Sequence, residues 1–485
     1  MRGSLYSKLN KQMSLSTMRC LADVTSSEVQ NKNAQEGYIF GFTADSWKEQ
    51  FPQIDPKYIF CTSPGLLPSE LYYYDPEHYI CFPLHIINGQ IIIPSSTPYE
   101  DFITKEIDTR LEQYRNKEYV RLLSAILSEQ SGNIALGIVR SMLEHEPPCP
   151  ELYQAAIDVY SFCDCGMQAL GEDALARLIQ CKSDKQKATT LELLSPLPDK
   201  VTVYRGEGSE STPYRKACSW TLSMDTALFF AGWKSESACV LHTGEVNKED
   251  IIEYIDDRNE REIIVPAGKV HNVKSQPLVD VKTFVPFVAG SSFTKTYAFP
   301  ESTFTRNIIQ RTRSLYEDIH VDDHDESHPI RVALLASYLY RALVLLPLYT
   351  ERRRSAYNKA LPLYEQLISA AIYHDSGRWD NEPNDMHGAA GSEKFQQDNG
   401  DDEIVEFLTT FHCKSSDEAR AYWTEHFAGQ EDVWLAFQIM KDADALDRVR
   451  FGKGCNDYTK TAFLHLELSK RMIPAAMQLA SARLY

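Results

Sequence analysis

Alternating patterns of apolar and polar residues divide this chain into four successive blocks. Short apolar segments interrupted by Pro and Gly fill residues 38–93 and predict strands joined by turns. From about residue 99 to 194 the apolar residues recur at helical spacing. Strand-like segments return between residues 201 and 288, the last of them at 282–288. Helical spacing then prevails to the C-terminus.

These blocks predict a multidomain α+β fold. The predicted parts are a small mixed α/β module at 1–98, a helical lobe at 99–198, a β-rich lobe at 199–300 and an all-α domain at 301–485. The length of 485 residues agrees with this division, because single cores rarely grow beyond about 250–300 residues. The first module carries no recognisable chemistry, and target recognition is one role open to it.

Charge and composition exclude several classes of function. A formal net charge of -18 argues against nucleic-acid binding, and the only basic run is 352–354. Eleven cysteines without metal-ligand spacing fit a reducing compartment. The N-terminus lacks the apolar core of a signal peptide, and no window approaches the apolar length of a membrane span. These features predict a cytoplasmic protein, in the host cytosol if it is a secreted effector.

Three features of the β-rich block suggest chemistry. Arg205 ends a predicted strand, and Gly206 follows where we expect the backbone to turn. A hydroxyl-rich segment beginning at Ser219 then leads into a predicted helix. Glu260 and Glu262 precede an apolar run, and side chains two apart on a strand share a face. Both carboxylates are therefore expected in one cleft if Glu260 lies in strand geometry, although such residues at a strand entrance usually mark only the surface.

In this order the three features resemble the mono-ADP-ribosyltransferases of the Arg, Ser, Glu-x-Glu class, over about residues 201–275. The resemblance implies NAD as co-substrate and a protein as acceptor. Loss of nicotinamide leaves a ribosyl cation, and Glu262 would hold the ribose and stabilise that charge. Arg205 would bind the diphosphate through its planar fork. Glu260 would orient or deprotonate the acceptor.

The hydroxyl segment departs from the family pattern. Ser-Thr-Ser is usual there, whereas this chain has Ser219, Trp220 and Thr221. Ser219 or Thr221 would hold Glu262 in place and help to bind NAD. Ser223 remains a second candidate for the family serine.

Histidines and aspartates follow an ordered pattern in the last block. Eight of the thirteen histidines lie after residue 319. His328 stands at an expected helix start, and His374-Asp375 ends an apolar helix. This pattern, followed by a distant aspartate, resembles the HD superfamily of phosphohydrolases and phosphodiesterases over about residues 316–455. We assign the distant aspartate to Asp444, with Asp442 as the alternative.

The HD resemblance implies a divalent metal ion. Its ligands would be His328, His374, Asp375 and Asp444. His387 and His412 match the positions that carry additional ligands in two-metal members. An ion held by imidazole and carboxylate can polarise a phosphoryl oxygen and generate a hydroxide.

Together the two halves resemble the SidE-family bacterial effectors, with the domain order reversed. Those proteins ADP-ribosylate ubiquitin and then cleave the diphosphate to transfer phosphoribosyl-ubiquitin. Their phosphodiesterase uses two His and one Glu without metal. By that pattern His328 and His412 would be nucleophile and acid, and the carboxylate would be Glu382 or Glu393. Ubiquitin is then one candidate acceptor.

Three hypotheses remain open from the sequence. Both domains could act in sequence on one modified protein. Alternatively, the transferase could be accompanied by an independent metal-dependent HD phosphohydrolase that acts on nucleotides. In the third, one half is inactive and serves as a recognition module.

Overall fold

The structure is a computed structural model. It describes residues 18–27, 42–61, 71–87, 90–92, 102–127, 132–163, 166–233, 235, 237–256, 258–284, 303–317, 326–378, 385–451 and 460–481. Within these residues the chain is mixed α+β, with two antiparallel sheets and a helical C-terminal region, which confirms the predicted class at that level. The predicted strand at 38–41 lies outside the described residues.

The first sheet is an antiparallel meander whose five strands follow chain order. Its strands are β1 (Arg19–Cys20), β2 (Ile59–Cys61), β3 (Leu71–Asp75), β4 (Ile80–Ile87) and β5 (Gln90–Ile92). Helix α1 (Ala44–Gln50) joins the hydrophobic cluster of this sheet through the fully buried Trp47, whose indole N–H donates to the carbonyl of Ile54 at 3.0 Å.

The described part of the predicted helical block contains six α-helices. They are α2 (Phe102–Arg115), α3 (Tyr119–Leu127), α4 (Gly132–His145), α5 (Pro150–Tyr160), α6 (Glu172–Cys181) and α7 (Asp184–Leu194). Buried residues of helices α3 to α6 and of the first sheet belong to one continuous hydrophobic cluster. The first sheet and the helical block therefore share a core across the boundary predicted near residue 98.

The second sheet has six antiparallel strands in the order β11-β8-β6-β7-β10-β9. They are β6 (Lys200–Glu207), β7 (Ser219–Thr221), β8 (Val240–Asn247), β9 (Glu253–Ile255), β10 (Glu262–Ile264) and β11 (His271–Pro277). Helix α8 (Met224–Gly232) packs on β6. This order places β7 directly between the strands that carry Arg205 and Glu262.

Gly206 does not form the expected turn, because β6 continues through it to Glu207. A Cβ at this position would lie 1.8 Å from the carbonyl oxygen of Ala227 and 2.5 Å from the nitrogen of Ala231. Both atoms belong to α8. Gly206 is therefore required for the close approach of this helix to the sheet.

Two other elements differ from the sequence-based expectation. Residues 281–284, part of the predicted last strand, form a helical turn, in which the Asp280 carboxylate accepts from the backbone of Thr283 at 2.8 Å. Phe284 from this turn is fully buried and stacks on Tyr338. Strand β11 was not predicted, because most of its residues are exposed and it has no apolar alternation.

The C-terminal region contains ten helices within the described residues. They are α9 (Thr303–Tyr316), α10 (Ser327–Tyr340), α11 (Leu346–Thr350), α12 (Arg354–Tyr373), α13 (His387–Asn399), α14 (Glu403–Phe411), α15 (Ser416–His426), α16 (Glu431–Asp447), α17 (Glu467–Arg471) and α18 (Ile473–Ala480). A π-helical turn, Arg341–Leu345, joins α10 to α11. Helix α10 packs on both α12 and α16 at the centre of this region.

The second sheet and the C-terminal helices share a hydrophobic cluster. Gly232 at the end of α8 faces α18, where its added Cβ would lie 2.8 Å from the Cα of Pro474. The amide of Gln478 accepts from the backbone N–H of Val281 at 2.6 Å and donates to the carbonyl of Ser235 at 2.5 Å. Apolar packing and buried hydrogen bonds thus join the two regions.

The run Ser327–Thr350, 24 residues long, is the one described helix long and apolar enough to cross a membrane by length and composition. We expected no apolar window of this length from the sequence, so the helix differs from that expectation. However, 56% of the window is buried inside the molecule. The run also carries the buried polar side chains His328 and Arg331. These features are typical of the core helix of a globular region.

Candidate functional site

The carboxylate of Glu262 receives hydrogen bonds from two distant parts of the chain. Glu262 begins β10 and is only 7% exposed. The hydroxyl of Ser219 on neighbouring β7 donates to its Oε1. The phenol of Tyr160, the last residue of α5, donates to the same oxygen at 2.6 Å. Because both donors among the described residues use Oε1, this arrangement leaves Oε2 for a substrate.

Burial raises the pKa of Glu262 above its ordinary value. Ser219 and Tyr160 oppose this shift, because hydrogen bonds to the charged form lower the pKa, and the nearby guanidinium groups of Arg258 and Arg205 act in the same direction. The ionised carboxylate is therefore poorly solvated by water. A positive charge that develops beside it would be attracted more strongly than in bulk water.

Arg205 lies on β6, and two backbone carbonyls orient its guanidinium. Nη1 donates to Ser219 at 2.8 Å and Nη2 donates to Thr212 at 2.9 Å. Its Nε is buried and has no hydrogen-bond partner among the described residues. Burial lowers the pKa of Arg205 from its ordinary value, but an arginine remains charged in proteins. Arg205, the residue expected to bind the diphosphate, is therefore separated from the Glu262 strand only by β7, and part of its planar fork is bound to the backbone.

Glu260 does not share a strand with Glu262, because β10 begins at Glu262 itself. Between them Arg261 has a φ of +48°, and Asn259 has a φ of +55°. Both values lie in the left-handed region, which side chains other than glycine seldom adopt. The alternation argument is therefore wrong here, and a turn determines how the two glutamates are placed.

The turn nevertheless keeps Glu260 close to the site. Its side chain is 14% exposed, and Oε2 lies 3.2 Å from Nη2 of Arg258. Burial raises the pKa of Glu260, opposed by Arg258 and reinforced by the negative charge of Glu262. Two carboxyl groups with raised pKa values thus lie in mutual electrostatic range, as general acid–base chemistry requires.

The remaining hydroxyls of this segment bind the backbone. Thr221 donates to the carbonyl of Glu260 at 2.7 Å, so it holds the turn rather than the Glu262 carboxylate. Ser223 is the N-cap of α8, and its hydroxyl accepts from the N–H of Thr226. Of the three candidates, Ser219 is the one that contacts the Glu262 side chain.

All six predicted metal ligands converge at the centre of the C-terminal helices. They come from the start of α10 (His328), the end of α12 (His374, Asp375), the start of α13 (His387), the end of α14 (His412) and the last turns of α16 (Asp444). Five of these six residues are buried, and Asp444 is half-buried. The apolar helices thus hold a polar cluster within their core.

The ring orientations of the first histidine pair are fixed through Nδ1. Nδ1 of His328 lies 2.8 Å from the Asp447 carboxylate. Nδ1 of His374 lies 2.8 Å from the carbonyl oxygen of Ala371. Both contacts favour a proton on Nδ1 and leave a lone pair on Nε2, the tautomer that metal-binding histidines usually adopt. The two Nε2 atoms lie 3.1 Å apart, a distance that requires a proton or a cation to relieve the repulsion.

Carboxylates complete the first half of the cluster. Nε2 of His328 lies 3.4 Å from Asp375 Oδ2 and 3.4 Å from Asp444 Oδ1. The corresponding distances from Nε2 of His374 are 3.8 Å and 4.0 Å. Ligand atoms that bind one ion at about 2.1 Å are themselves about 3–4 Å apart. His328, His374 and Asp444 therefore form a group that suits a single divalent ion, and Asp375 lies close to both of these imidazoles.

The other carboxylate oxygen of Asp375 faces the second histidine pair. Oδ1 lies 3.3 Å from Nε2 of His387 and 3.6 Å from Nε2 of His412. The two Nε2 atoms are 3.1 Å apart. Nδ1 of His412 lies 2.7 Å from the carbonyl of Thr409, so its Nε2 also carries a lone pair. Asp375 is thus placed to bridge two ions, and Cys413 forms a possible ligand group with His387 and His412.

The protonation states of the cluster favour the binding of a cation. Burial lowers the pKa of His374 to about 3 and that of His387 to about 4, so both imidazoles are neutral at pH 7. Burial and the Arg450 guanidinium also lower the pKa of His328, but its three neighbouring aspartates outweigh them and raise it to about 9. Without a metal ion, a proton on His328 would compensate this concentration of negative charge.

The alternative assignments lie away from this centre. Asp442 accepts hydrogen bonds from the backbone of His465 at 2.8 Å and of Leu466 at 2.9 Å, so its role is structural. Glu393 is on the exposed face of α13. Glu382 lies outside the described residues. The single glutamate of a metal-free SidE-like mechanism therefore has no match among the described candidates.

Sequence reasoning missed two groups that orient the candidate ligands. Tyr160 is 102 residues from Glu262 and ends an ordinary amphipathic helix. Asp447 also accepts two hydrogen bonds from Arg331, at 2.6 Å and 3.0 Å. The second group had one signal: Asp447 follows Asp444 by three residues, so both lie on one face of a helix.

Comparison with protein-family models, curated proteins and solved structures finds no match to this chain. The family resemblances therefore rest on the motifs and on the geometry of these two sites.

Proposed function

We propose that this chain is an NAD-dependent mono-ADP-ribosyltransferase that modifies a protein acceptor in the cytosol. The observation that carries the proposal is the Glu262 carboxylate, which Ser219 and Tyr160 hold through one oxygen, with only β7 between its strand and that of Arg205. A carboxylate oriented in this way, with its second oxygen left for a ligand, suits a ribose and the positive charge that develops on it.

In the proposed reaction the bond between ribose C1 and the nicotinamide nitrogen breaks, and nicotinamide leaves with the bonding electrons. Glu262 stabilises the resulting ribosyl cation. Arg205 contributes its charge and unused donors to the diphosphate. The acceptor nucleophile then bonds to C1, and its proton passes to Glu260, whose pKa is raised by burial.

The histidine–aspartate centre is proposed to cleave a phosphoric anhydride. His328, His374, Asp375 and Asp444 would hold one divalent ion, and Asp375, His387 and His412 a second. Such ions would polarise a phosphoryl oxygen and acidify a bound water. In the sequential version the substrate is the ADP-ribosylated protein: water adds to phosphorus, the P–O–P bond breaks, AMP leaves and phosphoribose remains. Ubiquitin is a candidate acceptor by resemblance to the SidE family.

A second candidate function is an independent metal-dependent phosphohydrolase that acts on free nucleotides. The full set of metal ligands favours it, since the described candidates offer no glutamate for the metal-free mechanism of SidE proteins. A catalytically inactive half that serves as a recognition module for a protein partner is the remaining alternative.

The test is to incubate wild type, Glu262→Ala and His328→Ala with NAD, ubiquitin and a eukaryotic cell lysate, and to weigh the modified proteins by mass spectrometry. The lysate supplies any activating factor. We expect phosphoribose from wild type, whole ADP-ribose from His328→Ala and no modification from Glu262→Ala. Glu249→Ala and His426→Ala, both at exposed positions, are matched controls that should behave as wild type.

Other outcomes discriminate between the candidates. Intact ADP-ribose from both wild type and His328→Ala would exclude the sequential version and favour an independent phosphohydrolase. Absence of NAD cleavage by wild type in the lysate would contradict the transferase proposal itself.

A further inference from the structure

A ledge of exposed apolar and basic side chains lies at the end of α10 opposite His328. We define the ledge as Leu343, Leu346, Tyr349, Arg352, Arg353 and Arg354. The three apolar residues are 36%, 44% and 72% exposed. They recur at intervals of three, so they follow one face of the helical run. The ledge uses none of the residues of the two candidate sites.

The apolar part of the ledge stands on regular backbone. Leu343 lies in the π-helical turn Arg341–Leu345, and Leu346 and Tyr349 lie in α11. Leu345, between the first two, is buried at 6% exposure and anchors the turn to the core. The exposed side chains therefore project from a fixed helical segment, and the ring of Tyr349 packs only loosely, with its centroid 6.3 Å from that of Tyr357.

The basic part forms the reversal between α11 and α12. Arg352, Arg353 and Arg354 are all exposed, and Arg352 has a φ of +59° that turns the chain. Glu351 is the one acidic residue of this reversal; its Oε2 lies 3.6 Å from Nη1 of Arg353. Both side chains of that pair are more than half exposed, so it is screened by water and weak.

The charge of the ledge is opposite to that of the molecule. Three arginines against one glutamate give a local charge of about +2, on a chain whose formal net charge is -18. The charge of Asp432, at the start of α16, acts on the buried Tyr340, which precedes the ledge by three residues. An anionic surface would therefore meet this protein favourably at the ledge and be repelled by most of the remaining surface.

We propose that the ledge docks the protein on anionic lipid bilayers. Two leucines and a tyrosine bordered by arginines suit a membrane interface: leucines enter the acyl boundary, a tyrosine stays at headgroup level and arginines bind phosphates. The ledge begins fifteen residues after His328, or about 22 Å along the helix at 1.5 Å per residue. Docking there would leave the histidine–aspartate centre accessible.

The test is sedimentation of the full chain with vesicles of phosphatidylcholine alone or mixed with phosphatidylserine. We expect wild type to bind the mixed vesicles and to be released by salt, since the basic contribution is screened. The triple change of Arg352, Arg353 and Arg354 to Gln should weaken binding about tenfold or more. Leu346→Ser with Tyr349→Ser should also weaken it. As the matched control, Leu191→Ser with Leu193→Ser alters exposed leucines on α7 and should bind as wild type.

Several results would overturn the proposal. They are failure of wild type to bind mixed vesicles, equal binding to both vesicle types, or unchanged binding by the arginine variant. Binding to heparin as tight as to vesicles, with no loss in the Leu346/Tyr349 variant, would identify a general polyanion site instead. Thermal unfolding of each variant establishes that the fold is retained, which is expected because every substituted side chain is exposed.

Discussion

Tyr160 connects the helical block to the candidate catalytic strand through a single hydrogen bond. Burial and the negative charge of Glu262 raise the pKa of Tyr160 well above its ordinary value, so the phenol stays a donor at physiological pH. Its bond favours the ionised form of Glu262. We therefore interpret Tyr160 as a positioning residue for the proposed transferase.

Tyr160→Phe should raise the pKa of Glu262, because the carboxylate loses one of its two donors. A hydrogen bond to a charged group contributes about 1.5–3 kcal/mol, which corresponds to about one pH unit or more. The acidic limb of the pH–kcat profile for NAD cleavage should move to higher pH by about that amount, with little change in KM. Tyr153→Phe is the matched control, since that phenol on the same helix donates to Glu253 instead. An unshifted profile in Tyr160→Phe would contradict the positioning role.

The geometry around Asp375 predicts how many ions each variant binds. Wild type should bind two manganese or iron ions per chain, measured by elemental analysis after dialysis. His387→Ala should retain one, because His328, His374, Asp375 and Asp444 remain. Asp375→Ala should lose both, since each oxygen faces one histidine pair. His426→Ala should retain both, and two ions in Asp375→Ala would rule out the bridging arrangement.

At the scale of residues, the sequence predicted the candidate ligands that belong to a recognisable motif. His374-Asp375 is informative because two ligands follow an apolar helix directly. Ser219 could be predicted because it precedes Glu262 in the Arg, Ser, Glu-x-Glu order of motifs. Tyr160 could not be predicted, because it acts across more than one hundred residues and nothing local distinguishes it. Asp447 also acts across more than one hundred residues, and its spacing from Asp444 is its one local signal.

Helices and strands with a buried face were predicted, and elements stabilised by other means were not. Helices α10 and α12 repeat apolar residues over several turns, which only burial explains. In contrast β11 is held by pairing with β8 while most of its side chains remain exposed, so it carries no pattern. The turn that separates Glu260 from Glu262 depends on positive φ values at Asn259 and Arg261, and no pattern in the sequence indicates them.

Gly206→Ala tests the contact between β6 and α8. The new methyl group would overlap the backbone of Ala227, so the helix must move away from the sheet. We expect the free energy of unfolding in urea to fall by about 1–3 kcal/mol or more. Thr202→Ala, an exposed position on the same strand, should change stability little. Equal stability of Gly206→Ala and wild type would mean that α8 packs less closely than described.

At the scale of the whole molecule, the second sheet and the C-terminal helices share one hydrophobic core. Their shared cluster includes Ala227 and Leu228 of α8 together with Ala475 and Leu479 of α18. The sequence predicted two separate domains here, because a boundary is inferred from a change of pattern. Contacts between regions leave no periodic signal, so the extent of the shared core was not foreseen.

Gln478→Leu tests this connection. The substitution leaves the backbone N–H of Val281 and the carbonyl of Ser235 buried without their partner. Each such loss costs about 1–3 kcal/mol, so unfolding should become easier by about 2–5 kcal/mol. We expect one cooperative transition, at lower temperature, by both tryptophan fluorescence and circular dichroism. Gln396→Leu is the control, because that side-chain amide donates to the side chain of Glu406 at 3.3 Å and to no buried backbone group among the described contacts.

The close contact of Gly232 with Pro474 has an evolutionary consequence. Domains usually recombine at an exposed linker, because few contacts cross such a boundary. Here Gly232, at the end of α8, lies against Pro474 on α18. A side chain added at Gly232 would push the two helices apart. Recombination at this boundary would therefore have to transfer both surfaces together. Descendants of this chain are expected to inherit the two regions as a pair.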